Sequence, residues 1–165
     1  MADYIKKSKN LIVVAASENY LAMLNALLNS IDYYHIDADV LLVSFRLPQE
    51  YLNKIQEIFD FQINVVKSDG ESQVQGTAIE RFRYAVEYGK QYDAICLLDC
   101  DMFFVDDVAR YFFAASKGLI IVGANGMQIS FTKEHQMRYK IDLGSNNYPH
   151  YLIHTTAPYF WDPMT

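Results

Sequence analysis

Short, uninterrupted apolar runs alternate along this chain with stretches in which apolar residues recur every three or four positions. Residues 11–16 form the first run, as in a strand buried on both faces. Ser17 then stands where a helix N-cap would, and Tyr20, Leu21, Leu24, Leu27, Leu28 and Ile31 repeat at helical spacing. Residues 40–45 are a second run. Pro48 opens a second helix whose stripe is Tyr51, Leu52, Ile55, Ile58 and Phe59. Residues 61–66 alternate like a third strand, and the polar stretch 67–75 reads as a loop.

Thr77 and Glu80 have capping-box spacing, which predicts a third helix starting there with Ile79, Phe82, Val86 and Gly89 facing inward. Residues 93–98 are a fourth strand, 105–116 a short helix with Asp106 and Asp107 at its amino end, and 118–123 a fifth strand. The order β-α-β-α-β-α-β-α-β predicts a three-layer α/β/α fold with a mostly parallel central sheet. Beyond residue 123, Gly126, Gly144, Pro149, Pro158 and Pro163 interrupt the chain, with short strands expected at 129–131 and 150–154. The 165 residues suit a single domain.

Composition narrows the function. Twenty acidic against 14 basic residues give a net charge of −6, which argues against nucleic acid as a partner. Cys96 and Cys100 are the only cysteines. On one strand they would lie ~14 Å apart, beyond disulfide reach, so both are expected as buried, reduced thiols. No apolar run reaches the ~18–20 residues of a membrane span. The six-residue run after Lys6, Lys7 and Lys9 is short for a signal peptide, so a cytoplasmic location is expected.

In open α/β sheets, ligands sit beyond the carboxyl ends of the strands. The sharpest feature there is Leu97-Leu98-Asp99-Cys100-Asp101. A strand has a period of two, so both carboxylates are expected on one side with Cys100 on the other, and their repulsion calls for a cation. Hard oxygen donors favour Mg²⁺ or Mn²⁺. Asp69, near the loop after the third strand, is a further candidate site residue at this edge.

At these residues the chain resembles the nucleotide-diphospho-sugar glycosyltransferases of Rossmann-like GT-A fold, and most nearly the family-8-type, lipopolysaccharide-galactosyltransferase-like enzymes. The resemblance rests on Val14-Ala15-Ala16-Ser17-Glu18-Asn19-Tyr20, on Glu80-Arg81-Phe82-Arg83-Tyr84 and on the strand from Tyr92 to Asp101, and spans roughly residues 10–125. It implies a donor that is a nucleotide-sugar, with a UDP-sugar expected, and Mn²⁺ or Mg²⁺ as cofactor. Ala15 and Ser17 would line the base, Asn19 the ribose, and Tyr20 would flank or stack on the base. Asp99 would contact ribose and metal, Asp101 would ligate the metal, and Arg81 or Arg83 would contact the diphosphate or sugar. Arg81 and Arg83 stand about 200° apart around a helix, and Arg81, expected in the first turn, is the better placed.

The chain departs from this family in two places. The family usually carries an acid at the position of Ser17. Its longer acceptor half ends in a His- and Gly-containing motif that supplies another metal ligand. Here residues 1–125 would form the donor half and 126–165 a short acceptor-side segment, so a truncated domain is expected. In that segment His154 is a candidate metal ligand. Tyr159-Phe160-Trp161-Asp162-Pro163 offers aromatic faces for an acceptor sugar, for packing or for a homo-oligomer contact; the acceptor itself is not specified. Two other functions fit parts of the pattern. One is a non-catalytic nucleotide-sugar-binding or assembly module. The other is a haloacid-dehalogenase-like phosphatase, which shares D-x-D but carries it on its first strand with Thr or Val where Phe103 stands here.

Overall fold

The computed structural model describes residues 4–68, 74–119, 121–122 and 159–161. The elements run β1 (Asn10–Ser17), a single 3₁₀ turn (Glu18–Tyr20), α1 (Leu21–Tyr33), β2 (Asp39–Phe45), α2 (Gln49–Ile58), β3 (Ile63–Lys67), α3 (Val74–Gly89), β4 (Ala94–Asp99), α4 (Ala109–Ala115), β5 (Ile121–Val122) and β6 (Tyr159–Trp161). The sheet order is β3-β2-β1-β4-β6-β5. β1, β2, β3 and β4 are parallel neighbours, as the βαβ alternation predicts.

The alternation of β1 divides the core into two layers. Ile12, Val14 and Ala16 pack with Leu24, Leu27, Leu28 and Ile31 of α1, Leu52 and Ile55 of α2, and Phe112 and Ala115 of α4. Leu11, Val13 and Ala15 face the other way, onto Tyr84 and Ala85 of α3. Both faces of the central strands are thus covered, which is why β1 and β2 read as continuous apolar runs. Cys96 and Cys100 are free and buried.

Several boundaries and faces differ from the sequence pattern. Ser17 makes no side-chain cap; the 3₁₀ turn intervenes and α1 begins at Leu21. Ile58 is exposed because α2 ends there and Phe59 turns extended, stacking on Phe61 at a 5.1 Å ring separation. α3 begins at Val74, so Thr77 lies inside the helix and Arg81 about two turns in rather than in the first. Glu80 instead accepts a 3.3 Å hydrogen bond from Ser68 Oγ and pairs with Arg83. The inward face of α3 is also rotated: Phe82 and Val86 are exposed, while Arg81, Tyr84 and Ala85 are buried. A buried cation has displaced a more apolar face because it finds oxygen partners at the sheet.

α4 is shorter than expected. Residues 105–108 belong to the preceding loop, where Asp107 Oδ1 accepts the Ala109 N–H at 2.8 Å. Among the described residues the expected fifth strand is represented by Ile121–Val122, which neighbours β6 in the sheet and not β4. β6 is inserted between them, antiparallel, with Ile95 opposite Trp161 and Ile121 opposite Phe160. The Tyr159–Trp161 segment is therefore a sheet strand. The expected strands at 129–131 and 150–154 lie outside the described residues.

Candidate functional site

The carboxyl ends of β1 and β4 lie side by side, with Ala15 paired to Asp99 in register. Parallel strands bring these residues together although 84 positions separate them in the sequence. Ala15, Ile95 and Leu97 belong to the layer under α3, and Asp99 continues that alternation at the open end of β4. Ala15 is buried and carries only a methyl, which takes up little space at this edge. Ser17 is half-buried; Asn19 and Tyr20 are exposed on the 3₁₀ turn beyond it.

Arg81 reaches this edge from α3. Its Nη1 donates to Asp99 Oδ1 and, at 3.0 Å, to the Leu98 carbonyl. Arg81 is 4% exposed, whereas the Asp99 side chain keeps 22%. Asp99 Oδ2 is buried and has no hydrogen-bond partner among the described residues. An orphaned carboxylate oxygen of this kind is costly unless a cation or donor joins it.

Asp101 is placed differently from the strand-period expectation. β4 ends at Asp99, and the Met102 N–H bonds back to the Asp99 carbonyl at 3.2 Å, closing a turn over residues 99–102. Asp101 is therefore exposed at a turn instead of aligned along a strand with Asp99. Chemically the two suit a divalent metal, being hard oxygen donors with one oxygen otherwise unsatisfied. Among the described residues no third His, Cys, Asp or Glu joins them in a metal-holding group.

Arg83 lies on the outer side of α3, 58% exposed, with Nη2 2.8 Å from Glu80. It is not brought to Asp99. Asp69 and His154 lie outside the described residues. Burial pushes the Cys100 thiol up to about 11, and that of Cys96 well above its ordinary value, so neither is a ready nucleophile.

One supporting residue escapes a pattern reading. Ser30, inside the apolar stripe of α1, is buried; its Oγ donates to the Leu27 carbonyl at 2.7 Å and accepts the Phe104 N–H at 3.0 Å. It ties the loop after Asp101 to α1, and a serine on an otherwise apolar stripe was the available signal. Arg46, just past β2, is exposed at the same sheet edge with φ 59°, a left-handed conformation uncommon outside glycine.

Two cavities lie elsewhere. One of ≈ 460 Å³ sits at the amino ends of the strands, lined by Lys9, Asn10, His35, Asp37 and Asp93 among others. The other, ≈ 850 Å³, runs along β3 between α2 and α3. Neither is lined by Asp99 or Asp101. The strand carboxyl ends remain the better candidate because the unsatisfied carboxylate is there.

No protein-family model matches the sequence, and no curated protein matches it. Solved structures do. The chain is similar to the WbbM bifunctional glycosyltransferase, with TM-score 0.65 and 12% identity over 98% of this chain and 32% of that one. It is similar to the galactosyltransferase LgtC, solved with donor and acceptor sugar analogues, with TM-score 0.63 and 13% identity over 93% of this chain and 58% of that one. It is also similar to the glycosyltransferase GlyE of Streptococcus pneumoniae, with TM-score 0.60 and 15% identity over 96% and 35%. The chain thus spans less than two thirds of the length of each. Its Rossmann-like α/β architecture is the GT-A fold of these glycosyltransferases.

Proposed function

We propose that this chain is the donor-binding part of a metal-dependent glycosyltransferase that takes a nucleotide-sugar, a UDP-sugar in the first instance, and transfers its hexose to an acceptor. One observation carries the reading. Asp99, with a buried oxygen left unsatisfied, stands beside Ala15 at the carboxyl ends of adjacent parallel strands. The fold shared with glycosyltransferases supports it.

In this reading the small side chain of Ala15 and the polar groups of Ser17 and Asn19 accommodate base and ribose. The exposed Tyr20 ring flanks the base. Asp99 and Asp101 hold Mn²⁺ or Mg²⁺, whose chemistry is to offset charge on the departing nucleotide. Arg81 fixes the orientation of Asp99. Asp69 and His154 remain candidates for the nucleotide and the metal. Arg83, on the outer face of α3, is a weaker candidate for the diphosphate. The two free, buried thiols favour a reducing compartment such as the cytoplasm.

Calorimetry with UDP in the presence and absence of Mn²⁺ tests this function. Binding that requires the metal, and that is lost in Asp101→Ala, is the expected result. No metal-dependent binding at millimolar UDP would refute it. Binding without hydrolysis of any UDP-sugar would identify a donor-binding module instead of a transferase.

A further inference from the structure

Arg81 occupies an unusual position for a basic side chain: it is on the sheet-facing side of α3, 4% exposed, beside the candidate metal ligand Asp99. Its guanidinium cannot easily leave, because Nη1 is held both by the Asp99 carboxylate and by the Leu98 carbonyl of β4 at 3.0 Å. Asp99 is therefore bound on one oxygen by a fixed internal cation, while Oδ2 has no hydrogen-bond partner among the described residues.

We infer that Arg81 is a resident counter-cation that keeps Asp99 and Asp101 from loading a divalent metal until a nucleotide diphosphate arrives, so that metal and nucleotide bind interdependently. The inference rests on the proposed donor-binding function. Its basis is charge. Arg81, Asp99 and Asp101 together carry one net negative charge, half of what a divalent cation needs. A divalent cation held by Asp99 would be repelled by the guanidinium already paired with that carboxylate, in a part-buried setting where screening is weak. The phosphates of a nucleotide supply the missing negative charge and make the cation's position favourable beside Arg81. By linkage, the factor by which nucleotide strengthens metal binding equals the factor by which metal strengthens nucleotide binding.

Mn²⁺ and UDP titrations, each alone and each in the presence of the other, provide the test. The natural protein should bind Mn²⁺ at least about 10-fold more tightly with UDP than without it. Arg81→Gln should tighten binding of Mn²⁺ alone by about 10-fold and shrink the coupling, while Arg81→Lys, which keeps the charge, should not. Unchanged or weaker Mn²⁺ binding in folded Arg81→Gln, with metal-dependent UDP binding intact in the natural protein, would overturn the inference and leave the proposed function standing. Equal Mn²⁺ affinity with and without UDP in the natural protein would also overturn it, and needs no variant to fold. Absence of any UDP binding with Mn²⁺ would remove both.

Discussion

Ser30 Oγ accepts the backbone N–H of Phe104 across 74 residues of sequence, in a buried hydrogen bond of 3.0 Å. Phe104 in turn packs into the layer formed by α1, α2 and α4. The bond anchors the loop that follows Asp101, so a residue of α1 governs how firmly the candidate metal turn is held. Ser30→Ala should cost about 1–3 kcal/mol, because it strands a buried N–H. It should also weaken Mn²⁺-dependent UDP binding several-fold. Urea unfolding and calorimetry on the same variant check both; full affinity in a folded variant would disconnect the loop from the site.

The two candidate metal ligands should behave differently when removed. Asp101 is exposed at a turn, so Asp101→Ala should change stability by less than about 0.5 kcal/mol while abolishing metal-dependent binding. Asp99→Ala should lose binding too. It should also cost about 2–3 kcal/mol, since it leaves the buried Arg81 guanidinium with less compensation; partial solvent access at Asp99 keeps this at or below the range for fully buried pairs. Thermal unfolding of the two variants separates them.

Asp39 anchors the segment leading into β1. It is 1% exposed, and its carboxylate accepts the N–H groups of Lys7 at 2.8 Å and Ser8 at 3.0 Å and the hydroxyl of Tyr92 at 2.8 Å. Asp39→Ala strands three donors at once and should cost about 3–4 kcal/mol. In urea the midpoint should fall with an unchanged slope, since no new surface is exposed on unfolding. A loss below 1 kcal/mol would mean water replaces the carboxylate without penalty.

Alkaline pH should unfold the protein. Burial raises Tyr4 to about 12 from an ordinary 10.0, and Cys100 to about 11 from 9.0. Tyr92 is raised further still, again chiefly by burial. A raised value in the folded state means the fold holds these protons more tightly than the unfolded chain does. Their stabilising contribution is complete below about pH 9 and is lost as pH rises toward 12. The melting temperature should be flat through neutrality and drop above pH 9. Part of the tyrosinate absorbance should appear together with unfolding, and a melting temperature unchanged up to pH 12 would contradict the burial of these groups.

How much could be read in advance depends on the range of the interactions involved. The four parallel strands and the helices between them were legible because residues such as Val13 and Leu42 are buried on both faces and leave a local apolar signature. Asp99 stood out as a candidate because a charge at the end of such a run is locally anomalous. The helix face carrying Arg81 was not, since Phe82 and Val86 make a more apolar stripe. Only the sheet, by presenting Asp99 and the Leu98 carbonyl, makes burial of the guanidinium favourable.

Asp101 followed the same division. Strand periodicity placed it beside Asp99, but the Met102 N–H closes a turn that ends the strand, and that bond depends on where β4 runs out of neighbours. The place of β6 between β4 and β5 was equally beyond the local pattern, because antiparallel pairing of Phe160 with Cys96 joins positions 64 apart. The sequence alone therefore determined the layered α/β architecture and singled out Asp99 as a candidate acid, both written in neighbouring residues. Which cation faces that acid, and which strand closes the sheet beside it, were decided by tertiary contacts whose energy depends on partners far away in the chain.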